Sequence, residues 1–312
     1  MSSNVIRIAY FGLPLGALAL ARAGFFPNVI VLGHSDAIGA RRVRRQLGRH
    51  AMVLARPDLA DPTVLAAVAS ARPDVILGWF YPKQIPAEML RLAPRGAFGV
   101  HPSLLPRWRG PDPYFWAIYA GDSETGVSLH RLEAEYDTGA VVAQTRLAID
   151  AGESAWRLAK RLDRPGLALL TACARRLAAG EALEGTAQDP ARVTAAPAPD
   201  ENLLSIDWRR PAAEIVRLVC AASPYPAASA DLGDEVVDLV RVAHYAPALP
   251  RALEPADAVW TPRGLVVCAG DGGVLIERAR DAEGALLSGP ALAALFPAQL
   301  SRVHFGTEAR PG

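Results

Sequence analysis

Between residues 5 and 100, short apolar runs alternate with helix-forming segments, and that alternation leaves few architectures open. Val5 to Phe11 reads as a buried strand stopped by Gly12 and Pro14, with a helix over Leu15 to Ala23. Asn28 to Leu32 is a second strand, Arg41 to Gly48 a second helix, and Met52 to Leu54 a short third strand. Pro62 stands where a helix over Thr63 to Ala71 would begin, because proline fits the first helical position. Val75 to Gly78 and Ala97 to Val100 add further strands. Parallel strands need a crossover, usually a helix, so this pattern implies an α/β fold: a Rossmann-like, doubly wound, mostly parallel sheet. Such sheets bind ligands beyond the carboxyl ends of their strands, where strand order reverses.

The pattern changes further along. A helix over Pro113 to Tyr119, an apolar segment Gly126 to Leu132 and a long helix over Ser154 to Ala179 complete the first part, with Ser154 as N-cap and Gly180 just past the end. Thr194 to Asp200 is rich in alanine and proline and reads as a semi-rigid linker. Beyond it come a helix over Ala212 to Ala221 and short β-like runs at Glu235 to Val240, Gly264 to Cys268 and Gly273 to Arg278. Short strands with frequent turns suggest a small OB-like β-barrel. The expected organisation is a first domain over 1–193, a linker over 194–200 and a smaller barrel domain over 201–312.

Composition narrows the function classes. Lys plus Arg number 33 against 32 Asp plus Glu, so no broad positive field steers a polyanion toward the chain. Cys173, Cys220 and Cys268 are far apart and form no C-x-x-C pair, which argues against zinc and for a reducing compartment. No signal-like leader or membrane-length apolar run is present, so the expected location is the cytoplasm, with no membrane and no metal. Gly12 and Gly16 do not complete a G-x-G-x-x-G fingerprint, which removes a dinucleotide reading.

The most informative segment is His101-Pro102-Ser103-Leu104-Leu105-Pro106-Arg107-Trp108-Arg109-Gly110, at the end of an expected strand. Prolines fix φ, so the loop is stiff enough to hold His101 in one orientation. Glu133 to Gly139 then places Asp137 before a Thr-Gly turn. The run HPSLLPRWRGPDPYFWAIYAGDSETGV followed by YDTG resembles the folate-dependent formyltransferase family, and SIDWRRPAAEIVRLVCAASPYPAA resembles the opening of the C-terminal barrel of its two-domain members.

The resemblance implies the formyltransferase fold and transfer of a one-carbon group from 10-formyltetrahydrofolate as co-substrate. It implies that His101 and Asp137 are catalytic: His101 stabilises the oxyanion, and Asp137 orients it and relays protons. The segment Ser103, Leu104, Leu105, Pro106, Arg109, Gly110, with Glu135 and Tyr136, would line the folate pocket, and Phe11, Gly12, Leu13 and Pro14 would face the acceptor. Trp79, Phe80, Tyr81 and Lys83 either border the pterin or pack the core.

One position departs from the family. The signature is Asn-x-His, and here the first position is Gly99. An uncompensated oxyanion donor is worth ~10²–10³-fold in rate. Either another donor replaces it, or the site runs altered one-carbon chemistry, or it binds folate with little turnover. The acceptor is expected to be a small-molecule amine. Members acting on initiator tRNA carry a basic insertion that the short stretch His34 to Arg49 lacks, although Arg41, Arg42, Arg44, Arg45 and Arg49 keep methionyl-tRNA formyltransferase activity as an alternative.

Overall fold

Five strands in the first third of the chain pair in parallel, each lying where an apolar run was expected. In the computed structural model, which describes residues 6–34, 37–232, 235–249, 253–289, 291–292 and 303–304, these are β1 (Ile8–Gly12), β2 (Val29–Leu32), β3 (Met52–Ala55), β4 (Val75–Trp79) and β5 (Ala97–His101). Val5, expected at the start of the first strand, lies outside the described residues. The helices between them are α1 (Pro14–Arg22), α2 (Ala40–Leu47), α3 (Pro62–Ser70) and the short α4 (Ala87–Leu90). Pro62 opens α3, and the Asp61 side chain accepts from the Thr63 amide at 2.8 Å to cap it.

The sheet order is β3-β2-β1-β4-β5, extended by β6 (Glu124–Arg131) and β7 (Val141–Ala148). β6 runs antiparallel to β5, with Gly99 opposite His130 and His101 opposite Ser128. Strand order reverses between β1 and β4, so the carboxyl ends of β1, β4 and β5 form the crevice expected of this topology. Strands β1, β2, β4 and β5 are buried along their whole length, and a core including Phe11, Val31, Ile76 and Met89 packs on the sheet. The partly exposed β3 and β7 are its edges.

The long helix α6 (Ala155–Ala178) continues through Pro165. At its start Ser154 Oγ accepts from the Arg157 amide, and Gly180 follows its end with φ of 88°. The chain groups into two compact units, the first of residues 1–113, 125–148 and 160–196, the second of 114–124, 149–159 and 197–312. Two segments placed by the sequence in the first domain, 114–124 and 149–159, thus group with the second unit. Within that unit α5 (Pro113–Tyr119) is tied down by Trp116 Nε1 donating to Pro197 O and by Arg217 Nε donating to Tyr119 O.

The second unit also holds α7 (Glu201–Leu204), α8 (Ala212–Ala222) and an antiparallel sheet. Its strands are β8 (Ala228–Leu232), β9 (Glu235–Tyr245), β10 (Asp257–Thr261), β11 (Gly264–Cys268), β12 (Gly273–Arg280), β13 (Leu286–Leu287) and β14 (Val303–His304). They pair in the order β14-β10-β11-β12-β9-β8, with β13 on β12. The register slips between Ile276 and Ala279, which bends β12. No described helix is long and apolar enough to cross a membrane.

Candidate active site

His101 is the last residue of β5, with only 7% of its side chain exposed. Its Nδ1 lies 3.3 Å from Asp137 Oδ2, and its Nε2 lies 2.8 Å from Trp108 O. A carbonyl oxygen can only accept, so Nε2 carries the proton and Nδ1 is the nitrogen turned to the carboxyl. The two residues the sequence singled out are therefore in hydrogen-bonding range of each other.

The loop after β5 is held from several directions. Ser128 on β6 donates through Oγ to Ser103 O at 2.6 Å and accepts from the Leu105 amide at 3.0 Å. Gln144 on β7 donates to both Ser128 Oγ and Leu105 O. The Trp108 amide donates to Thr194 Oγ1, Arg109 N to Thr194 O, and Ala196 N to Arg109 O. Thr194 to Ala196, expected to be linker, thus pairs with the loop as an extra β-bridge. Trp108 adopts a positive φ of 61°, the left-handed region that a bulky residue enters only when its surroundings impose it.

Asp137 also has a positive φ, 55°. Its Oδ2 accepts from the Gly110 amide at 3.1 Å, which joins its turn to the end of the histidine loop. Gln188 braces it from behind by donating to Asp137 O and Gly139 O, while its own Oε1 accepts two bonds from the Arg109 guanidinium at 2.8 and 3.0 Å. Arg109, expected in the folate pocket, therefore has its head group committed to that brace. Glu135 and Tyr136 precede Asp137 on an exposed stretch, Tyr136 with 52% exposure.

The remaining expected positions divide by burial. Ser103 and Leu105 are buried, while Leu104, Pro106 and Gly110 are half-buried. Phe11, expected on the acceptor side, is fully buried and edge-on to Tyr81 at 5.5 Å, its ring part of the sheet core. Gly12 and Pro14 are buried too, leaving Leu13 half-exposed at the end of β1. Gly12 is required there, since a Cβ would stand 2.2 Å from Trp79 O. Of the aromatic run after β4, Trp79 is core and stacks on Phe80 at 4.4 Å, and burial pushes the Tyr81 hydroxyl up to about 12, with Tyr136 adding to the rise. Both Trp79 Nε1 and Tyr81 Oη are buried without a hydrogen-bond partner.

Gly99 leaves no empty slot. A Cβ there would lie 2.6 Å from Leu132 Cδ2 and 3.4 Å from His130 Nε2. Leu132 covers Gly99 and its register partner Gly78. In the sequence His130 falls inside the apolar segment Gly126 to Leu132. Its Nε2 lies 3.5 Å from Asp137 Oδ1, and its Nδ1 lies 2.8 Å from Arg131 O. Burial pulls its pKa from 6.5 down to about 4, against the opposing pull of Asp137, so the free ring is neutral at physiological pH. The period-2 alternation Ser128, His130 against Val127, Leu129 was the available signal: the polar pair shares the sheet face of Gly99 and His101. Gln144, Gln188 and Thr194 carried no such signal, being single polar residues far away in sequence. Among the described residues no cluster of His, Cys, Asp and Glu could hold a metal ion.

The chain matches the formyl transferase family over residues 28–173 and the formyl transferase C-terminal domain over residues 200–296. It is 34% identical over 294 residues to a methionyl-tRNA formyltransferase of Paraburkholderia phymatum, covering 88% of this chain and 89% of that one. A methionyl-tRNA formyltransferase of Anaeromyxobacter dehalogenans is also 34% identical, over 283 residues, covering 87% and 90%. The fold is similar to that of HypX from Aquifex aeolicus with tetrahydrofolic acid, at TM-score 0.66 and 18% identity, over 94% of this chain but 48% of HypX, so the chain spans about half of that protein. An N-formyltransferase from Helicobacter canadensis, solved with folinic acid and dTDP-3-aminofucose, gives TM-score 0.66 at 13% identity, covering 86% and 97%.

Proposed function

The chain belongs to the formyl transferase family, and on that premise we propose that it transfers a formyl group from 10-formyltetrahydrofolate to the amine of a small molecule. The observation that carries the reading is the His101–Asp137 pair, 3.3 Å apart, at the carboxyl end of β5 beside the reversal of strand order. The folate lies along the backbone of 103–110 and against Glu135 and Tyr136, and the acceptor enters past Leu13.

The chemistry asks for two things. The formyl oxygen becomes an oxyanion as the amine adds, and a proton must pass from the amine to the folate nitrogen. His101 answers the first by its charge and not by a direct N–H contact: its Nε2 stays on Trp108 O and its Nδ1 on Asp137 Oδ2, and a proton passed to Nδ1 makes it an imidazolium beside the reacting centre. Asp137 answers the second, because its Oδ1 and Oδ2 face ring nitrogens on both sides. His101→Ala is expected to lower turnover ~10²–10⁴-fold with every amine that the native protein accepts. The measurement is tetrahydrofolate release under multiple turnover; full activity in the variant would sink the reading.

A second reading, initiator-tRNA formylation, is favoured by the two methionyl-tRNA formyltransferase relatives and by Arg41, Arg42, Arg44, Arg45 and Arg49, all exposed on and just after α2. Small amines are preferred because net charge is +1 and the stretch after β2 is short. Methionyl initiator tRNA offered at low salt separates the two, since phosphate contacts weaken steeply as salt rises.

A further inference from the structure

We propose that His130 is the third catalytic residue of this site, standing beside the side chain that Gly99 lacks and sharing with His101 a single mobile proton held around Asp137. The proposal rests on the formyl-transfer reading above and assigns a role to a residue outside the His101–Asp137 pair.

The geometry fixes the proton count. His101 Nε2 faces Trp108 O and His130 Nδ1 faces Arg131 O, both at 2.8 Å. Each of those nitrogens must carry its proton, because a carbonyl cannot donate. The nitrogens left over, His101 Nδ1 and His130 Nε2, point at opposite oxygens of one carboxyl at 3.3 and 3.5 Å. With both rings neutral and Asp137 ionised, two lone pairs would face a carboxylate in a nearly dry site. One proton distributed over the three residues turns one contact into a hydrogen bond. The groups facing His130 are Asp137, His101 and, at longer range, Arg109.

The position is as telling as the charge. His130 is the register partner of Gly99, and its Nε2 is the polar atom 3.4 Å from where a Cβ at 99 would stand. Leu132 fills most of that space, and the imidazole of His130 is the polar group at its margin. In the reaction the amine nitrogen bonds to the formyl carbon and the carbonyl electron pair moves to oxygen. The proton lost by the amine goes to His130 Nε2, which then donates toward the oxyanion. On collapse the bond from the formyl carbon to the folate nitrogen breaks. Its electron pair returns to nitrogen, which takes one proton from the His130–Asp137–His101 line. A formamide and tetrahydrofolate leave, and the line regains its starting count.

The test has an arm that needs no acceptor. In ¹⁵N spectra of the histidine rings of the intact protein, His130 is expected to carry hydrogen on Nδ1 and to stay neutral well below the usual range near 6.5. In Asp137→Asn it is expected to become harder still to protonate. A ring that titrates near 6.5, or ignores Asp137→Asn, overturns the shared proton. The kinetic arm uses His130→Leu, checked for native melting. The expected result is a ~10²-fold lower kcat with KM for the folate within about threefold, and a displaced acid limb in the pH profile. Unchanged kcat in His130→Leu, or a loss in folate KM alone, overturns a catalytic role. If the native protein formylates no amine while the spectra behave as expected, the fault lies in the formyl-transfer reading and not in the proton line.

Discussion

Two loops meet at this site and are built in opposite ways. The loop from His101 to Gly110 is largely buried, and its backbone is gripped by Ser128, Gln144 and Thr194. The stretch from Glu133 to Tyr136 is exposed and delivers Asp137 through a turn held from beneath by Gln188. One loop fixes its histidine by what surrounds it; the other fixes its aspartate by one brace and leaves the residues ahead of it open. The division suits a site that must hold two reacting groups still while exchanging a large ligand. Rigid positioning is placed where burial makes it easy, and contact surface where solvent already reaches.

The largest effect should come from breaking the pairing between the loops. Asp137→Asn keeps the shape and the contact with Gly110 N, but an amide can neither hold nor pass the proton. Turnover is expected to fall ~10²–10⁴-fold while folate binding changes little. Steady-state kinetics with a binding titration checks this, and a loss under tenfold would show that the exposed turn merely supports the buried histidine.

Next comes the grip on the buried loop. Ser128→Ala removes the hydroxyl that serves Ser103 O, the Leu105 amide and Gln144 at once. Unmade bonds at buried groups cost ~1–3 kcal/mol, so urea unfolding should show a loss of about that size together with reduced turnover. Lost stability with untouched activity would mean that Trp108 O and Asp137 position His101 without the Ser128 grip.

How far the sequence reveals this arrangement follows the same contrast. The parallel sheet was legible because β1, β2, β4 and β5 are continuous apolar runs separated by helix signals. The edge strand β7 was not: Gln144, Thr145 and Arg146 interrupt its apolar pattern, and only pairing with β6 makes it a strand. In the second unit β8 is made mostly of small and polar residues and carries little strand propensity of its own. At the site, His101 and Asp137 were visible through stiff or turn-forming neighbours. The commitment of Arg109 to Gln188 was not, since it depends on a contact far away in sequence. His130 lay between: strand alternation placed it on the right face, but only the register with Gly99 brought it to Asp137.

The smallest effect on the fold should come from the open stretch, and there the two loops part most clearly. Tyr136 is half in solvent and Glu135 is exposed, so truncating either removes almost no packing. Tyr136→Ala and Glu135→Ala are each expected to leave unfolding free energy within about 0.5 kcal/mol of the native value. On the proposed folate placement, the same tyrosine change removes an aromatic face from the ligand. A ring contact is worth ~0.5–1.5 kcal/mol, so KM for the folate should rise roughly two- to tenfold with kcat preserved. A thermal melt beside a folate titration reads both quantities from one preparation. Should Tyr136→Ala lower the melting point while KM stays put, the exposed stretch would be a structural flap over Tyr81, and the folate would have to be held by the buried loop alone.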